Sequence, residues 1–196
     1  LQVTPYMFLL GAYYILLSKY STQTIIVVGS PAIARGNSDT QNIIGMFVNT
    51  LPLKFHVHFR KTFKEYMDSV KDMCLNAFEH QSYPFNEIVN NLNITRDASR
   101  NPLFDVLFTY QNDGNPTVNL NGINSTYYLP DSKIAKFDLS LEAIPEKDKL
   151  NLSFEYCTNL FTNSFINTMA NHYLKILEDV VNNPEIELFN IDMLYQ

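Results

Sequence analysis

Cysteine is scarce in this chain of 196 residues: Cys74 and Cys157 are its only two. Two thiols cannot build a disulfide framework, and each sits in an apolar pattern. The expectation is a pair of buried, reduced thiols in a reducing, cytoplasmic setting. Basic clusters are missing too. The net charge is −6, with both signs interspersed, which argues against nucleic acid or an anionic membrane surface as a partner. No apolar run is long enough to span a bilayer. Residues 5–17 are almost wholly apolar, but a crossing takes about 20 such residues, and neither a basic leader nor a cleavage site accompanies them. They are expected to form a core helix. The sequence also lacks a Gly-rich phosphate loop, a nucleophile elbow, an internal repeat and a low-complexity tract. Its one metal-like spacing is His56-Val-His58. Two histidines at i and i+2 on a strand point the same way, but no third ligand is identifiable, so a solvated strand end is expected and no metal.

What is present is a chain 46% hydrophobic and 13% aromatic, enough for one sizeable core. Thr4-Pro5 joins a hydroxyl N-cap to Pro at the first helical position. A helix is predicted from there to about residue 20, apolar on nearly every side. Residues 25–29 are a short β-branched run, read as a central strand. Residues 30–41, with Pro31, Gly36, Asn37, Ser38 and Asp39, are read as a loop carrying Arg35.

Residues 45–59 organise the rest. With period two, one face carries Phe47, Asn49, Leu51, Leu53, Phe55, Val57 and Phe59. Asn49 is the only polar residue on that face. A buried carboxamide without partners costs on the order of a few kcal/mol, so it must bond to backbone, water or a ligand. Two readings follow: Asn49 satisfies neighbouring backbone, or it faces a substrate channel. The opposite face turns polar only toward its end, so the strand is expected to be buried on both sides at its start. Pro52 marks a bulge or a sheet edge.

Thr62-Phe63-Lys64-Glu65 is a capping box that opens an amphipathic helix to about residue 80. His80 closes it, where a donor side chain suits the C-terminal dipole. Tyr83-Pro84-Phe85 then interrupts the pattern before a shorter helix around Ile88, Val89 and Leu92. Residues 96–102 form an extended linker, 104–110 a strand, and 111–124 a turn-rich excursion, with a short strand near 127–129. A hairpin pairs 137–143 with 150–156. Thr162 caps a last helix whose core face runs from Phe165 to Val181, and Pro184 stops it. The alternation of helices and strands, with an antiparallel hairpin, predicts a mixed α/β class.

Several stretches together resemble a known family. Residues 44–54, Ile-Gly-Met-Phe-Val-Asn-Thr-Leu-Pro-Leu-Lys, look like the fifth core motif of condensation domains from nonribosomal peptide synthetases. His80-Gln-Ser-Tyr-Pro-Phe85 resembles the sixth, and Arg96-Asp-Ala-Ser-Arg-Asn-Pro-Leu-Phe104 the seventh. Residues 4–20 are similar to the fourth, and Val28-Gly-Ser-Pro31 with Arg35 matches the stretch between. Ser82, Asn86 and Lys54 depart from the usual Asp, Glu and Arg; Lys54 keeps the charge without the planar fork.

The resemblance implies a chloramphenicol acetyltransferase-like fold of two lobes with a tunnel between them. Carrier-bound thioesters enter from opposite ends, and the acceptor amine attacks the donor thioester. The family's His-His-x-x-x-Asp-Gly motif is absent from this sequence, so no catalytic residue is expected here. By resemblance, residues 1–187 are the C-terminal lobe of a longer protein, with a floor loop at about 31–42 and a latch at about 111–124. Residues 188–196 begin a linker toward an adenylation domain. The expected partners are the N-terminal lobe, peptidyl carrier domains and that adenylation domain. The phosphopantetheine arm of the carriers presents the substrates, and no cofactor is held directly. Asn49 and Ser30 are the expected substrate-facing residues, Ser30 as a small donor and acceptor at a strand's end or as a simple turn hydroxyl. Arg96, Asp97 and Arg100 are expected to form a structural ion-pair knot, with His80 as a structural residue. The alternatives are a non-catalytic carrier-docking module and a cyclising or epimerising relative.

Overall fold

The computed structural model describes residues 1–33, 42–94, 97, 100–111 and 133–194. Among them, five strands form one sheet in the order β2-β1-β3-β4-β5. They are β1 (Ile25–Ile33), β2 (Val48–His56), β3 (Val106–Tyr110), β4 (Leu139–Glu146) and β5 (Lys149–Tyr156). The pairs β1–β2 and β4–β5 are antiparallel, while β3 runs parallel to both β1 and β4. The helices are α1 (Pro5–Ser21), α2 (Phe63–Glu79), α3 (Phe85–Asn91) and α4 (Asn163–Asn182).

Helix α1 is buried from Leu9 to Ser18 without a break, as its all-round apolar sequence predicts. It packs against α2, α4 and β1. Thr4 caps it by accepting from the Met7 N–H at 3.3 Å. Burial on all sides forces its surroundings to satisfy each other. The hydroxyls of Tyr14, Tyr66 and Tyr173 donate to the carbonyls of Leu53 (2.7 Å), Gly11 (2.8 Å) and Leu9 (2.9 Å). Gly11 permits the approach of α2, since a Cβ there would sit 2.6 Å from the Met67 sulfur. Both halves of the capping box are formed: Thr62 accepts from the Glu65 N–H, and Glu65 accepts from the Thr62 N–H.

Several expectations are corrected. Strand β1 does not stop at Gly29. Its ladder with β2 runs unbroken from Ile25↔His56 to Ile33↔Val48, so residues 30–33 are strand, not loop. Pro52, opposite Gly29 in that ladder, marks an edge and not a bulge. The start of β2 is not buried on both sides. Val48 at its first position is 55% exposed, and Met46 just before it is 90% exposed. The core face of α4 is narrower than expected: Ile166, Met169, Tyr173, Ile176 and Val180 are buried, whereas Phe165 and Val181 are exposed. Cys74 is buried, but Cys157 only partly so.

Residues 187–191 pack against the rest of the chain. Thr62 bridges Glu187, the Leu188 and Phe189 N–H groups donate to Lys61 and Phe59, and Leu188 and Ile191 join the core. Lys19 donates to the Ile191 carbonyl at 2.8 Å and fixes this exit against α1. The expected latch beyond Gln111, the floor loop between 34 and 41, the short strand at 127–129, Arg35 and Arg96 lie outside the described residues.

Candidate functional site

Strands β1 and β3 are parallel, so their carboxyl ends meet at one edge of the sheet. In α/β sheets such ends are where ligand crevices form. Here the first turn of α1, residues 31–33 of β1, the last turns of α2 and Tyr110 of β3 surround a cleft of about 620 Å³. Its walls include Tyr6, Pro31, Ile33, Leu75, Phe78 and Gln81.

Tyr6 forms the inner wall. Its ring lies 5.5 Å from both Phe78 and Phe108, tilted against each. Its hydroxyl donates to Ser30 Oγ at 2.9 Å, and Ser30 Oγ donates in turn to the Phe108 carbonyl at 3.0 Å. Burial holds the Tyr6 phenol well above its ordinary pKa, with the Ser30 contact opposing the shift. Ser30 therefore sits neither at a strand's end nor in a turn. It faces the core from within β1, 1% exposed, because it alternates inward with Val28 and Ala32. Tyr6, and not Ser30, is among the residues that line the cleft. The signal for it was available: a hydroxyl inside an all-apolar helix needs a partner.

Asn49 resolves toward the backbone reading. Its Nδ2 donates to the carbonyls of Gln81 and Tyr83, both at 2.8 Å. Its Oδ1 accepts from the N–H groups of Thr50 (3.0 Å) and Phe85 (3.3 Å). The N-cap of α3 is Pro84, which has no side-chain acceptor, so Asn49 supplies the missing cap from β2. It ties the edge strand to the 80–85 turn behind the cleft, next to cleft residue Gln81. His80 ends α2, with Nδ1 2.9 Å from the Asn76 carbonyl.

Of the expected ion-pair knot, Asp97 and Arg100 lie among the described residues. Arg100 pairs with Asp105, Nε to Oδ1 at 3.2 Å and a second contact through the other nitrogen. The Arg100 N–H donates to the Asp97 carbonyl. The Arg100–Asp105 pair is exposed, so solvent screens it. His56 and His58 project together at the strand end, ring centroids 3.9 Å apart. Among the described residues no three His, Cys, Asp or Glu side chains form a group able to hold a metal ion. No described helix is long and apolar enough to cross a membrane.

The comparisons agree with this geometry. The family model described as Condensation domain matches residues 1–196. The chain belongs to the condensation-domain family. Tyrocidine synthase 2 of Brevibacillus parabrevis is 48% identical over 191 residues, which is 97% of this chain and 5% of that protein. Gramicidin S synthase 2 of Brevibacillus brevis is 45% identical over 191 residues, 97% of this chain and 4% of that protein. This condensation-domain chain therefore spans only a small part of the curated relatives it matches. A crystal structure of a four-domain nonribosomal peptide synthetase bound to AMP and glycine superposes with a TM-score of 0.90 at 21% identity, covering all of this chain and 16% of that one. The X-domain from teicoplanin biosynthesis superposes with a TM-score of 0.86 at 20% identity, covering 98% of this chain and 44% of that one. At those identities the superpositions establish the fold alone, a mixed sheet packed with helices.

Proposed function

We propose that this chain is the C-terminal lobe of a condensation domain and forms one wall of the passage in which an amide bond is made between carrier-bound thioesters. Condensation domains catalyse amide formation, and the relatives that match are peptide synthetases. The observation that carries the lobe assignment is the apolar rim beside the cleft. Ile33, Ile44, Met46 and Val48 are all more than half exposed, and Ile33 pairs directly with Val48. An exposed apolar rim next to a crevice fits an interface with another lobe.

On this reading the acceptor amine attacks the donor thioester carbonyl, and the donor's carrier thiol leaves. The sequence contains no His-His-x-x-x-Asp-Gly motif, so the proton is handled from the opposite lobe. This chain contributes walls that orient the substrates, a contribution through proximity. The carriers' phosphopantetheine arms deliver both thioesters. An adenylation domain is the expected neighbour, with residues 188–196 as the start of the linker toward it. The setting is proposed to be cytoplasmic.

The test is reconstitution. The chain is combined with a lobe bearing the His motif and with loaded donor and acceptor carriers, and dipeptidyl carrier is measured by mass. Product is expected only with both lobes present. A second reading, a docking module without catalysis, is favoured by one observation: the same fold occurs in the X-domain, which is found in complex with OxyB. Carrier binding that persists without the other lobe, together with no product from both lobes, would favour that reading.

A further inference from the structure

We infer that the cleft at the carboxyl ends of β1 and β3 is a subsite for the uncharged, apolar side chain of a thioester substrate, with Tyr6 as the residue that sets the preference. The inference rests on the reading of this chain as a wall of the passage.

The lining carries it. None of the described residues around the cleft is charged, in a chain where 17% of residues are. The groove at the end of β5, of about 730 Å³, is different, carrying Lys133 and Glu155. A carboxylate or ammonium placed against Pro31, Ile33, Leu75 and Phe78 would give up part of its hydration and meet no charged partner among the described residues of the cleft. An aliphatic or aromatic side chain has no such hydration to lose.

Tyr6 makes the wall selective through its ring. Its hydroxyl hydrogen is committed to Ser30, whose own hydrogen is committed to Phe108. The phenol is thus turned toward the sheet, and its ring contributes to the cleft wall. The ring is also fixed in advance, wedged between Phe78 and Phe108 and tethered at its far end. A wall that needs no ordering on binding loses no affinity to that step. The volume lies within the range of small-molecule sites, about 300–1,000 Å³.

The experiment titrates the full chain with the N-acetylcysteamine thioesters of leucine, phenylalanine and aspartate. Binding is followed by NMR shifts at Tyr6, Ala32 and Tyr110. Leucyl and phenylalanyl thioesters should shift these three positions together, and the aspartyl thioester should bind on the order of tenfold more weakly or less. Leu75 is half-exposed, so Leu75→Lys should leave the fold intact and move the preference toward the aspartyl thioester. Tyr6→Phe keeps the ring and should keep the preference, while Tyr6→Ser should reduce it. Equal affinity for leucyl and aspartyl thioesters, shifts confined to other parts of the chain, or no shifts with any thioester would overturn the subsite. Its failure is distinguishable from failure of the proposed function. Leucyl binding in the cleft with no amide formed after reconstitution would count against the function and leave the subsite standing. Amide formation equally fast with leucyl and aspartyl thioesters, in both the donor and the acceptor position, would remove only the subsite.

Discussion

Around α1, buried hydroxyls point inward and all but that of Tyr13 among the tyrosines Tyr13, Tyr14, Tyr66 and Tyr173 are matched: Tyr14, Tyr66 and Tyr173 each donate to a carbonyl of a neighbouring element. At the carboxyl end of β1 and the start of β2 the pattern inverts. There Ile33, Ile44, Met46 and Val48 face outward, while the polar Asn49 and Ser30 are turned onto protein backbone. The first region closes upon itself and holds the fold. The second leaves apolar surface for contact. One chain thus keeps its stability and its interface in separate places, and substitutions should sort accordingly.

The largest contrast is between core and rim. Phe108→Ala empties a fully buried site touched by Tyr6 and Tyr13. It should lower the unfolding free energy by about 3–5 kcal/mol in denaturant titrations. Met46→Ser at the rim should change it by less than about 0.5 kcal/mol while weakening association with the partner lobe. Comparable losses at both sites would erase the distinction.

Asn49 comes next, because it belongs to both regions. Asn49→Ala leaves the Gln81 and Tyr83 carbonyls and the Phe85 N–H without this partner, and should cost about 1–3 kcal/mol. Asn49→Asp should cost more, since a carboxylate has no hydrogens for those two carbonyls. Faster amide exchange at residues 81–85 in both variants would locate the damage in the turn. Unchanged exchange there would contradict the clamp.

How much of this was legible beforehand follows the range of the interactions. The bounds of α1 and α2 could be read within a residue or two, because Thr4-Pro5 and the 62–65 capping box are local devices. The hairpin was equally plain from its alternation around residues 145–148. The extension of β1 through Pro31 was hidden. Its residues look like a loop, and only continued pairing with β2 as far as Val48 makes them strand. Asn49 could be recognised as needing partners, but they lie 32, 34 and 36 positions away. Ser30 drew attention as a small polar residue, yet Tyr6, 24 positions earlier, occupies its hydroxyl. Single-position chemistry was visible; the pairing of distant segments was not.

A smaller effect separates the tyrosines themselves. The Tyr13 hydroxyl is buried without a hydrogen-bond partner among the described residues, so Tyr13→Phe should be neutral or slightly stabilising. Tyr66→Phe removes the bond to Gly11 and should cost about 1 kcal/mol. Thermal melts of the two variants side by side would show the opposite signs.

A pH effect should appear in alkali. Burial pushes the Cys74 thiol from its ordinary 9.0 up to about 12 and raises Tyr14, Tyr66 and Tyr173 as well. The folded state therefore keeps protons that the unfolded chain releases. This stabilisation is complete below pH 9 and declines as pH rises toward 12. Melting temperature should fall across that window, and less steeply in Cys74→Ala.

The most direct measurement is hydrogen exchange on the chain with and without the lobe that carries the His-His-x-x-x-Asp-Gly motif. Protection should appear at residues 32–33 and 43–48, with the interior of α1 unchanged. Unaltered exchange along 43–48 in a formed complex, or protection gathered on the exposed side of α4, would contradict the assignment of this rim to the passage.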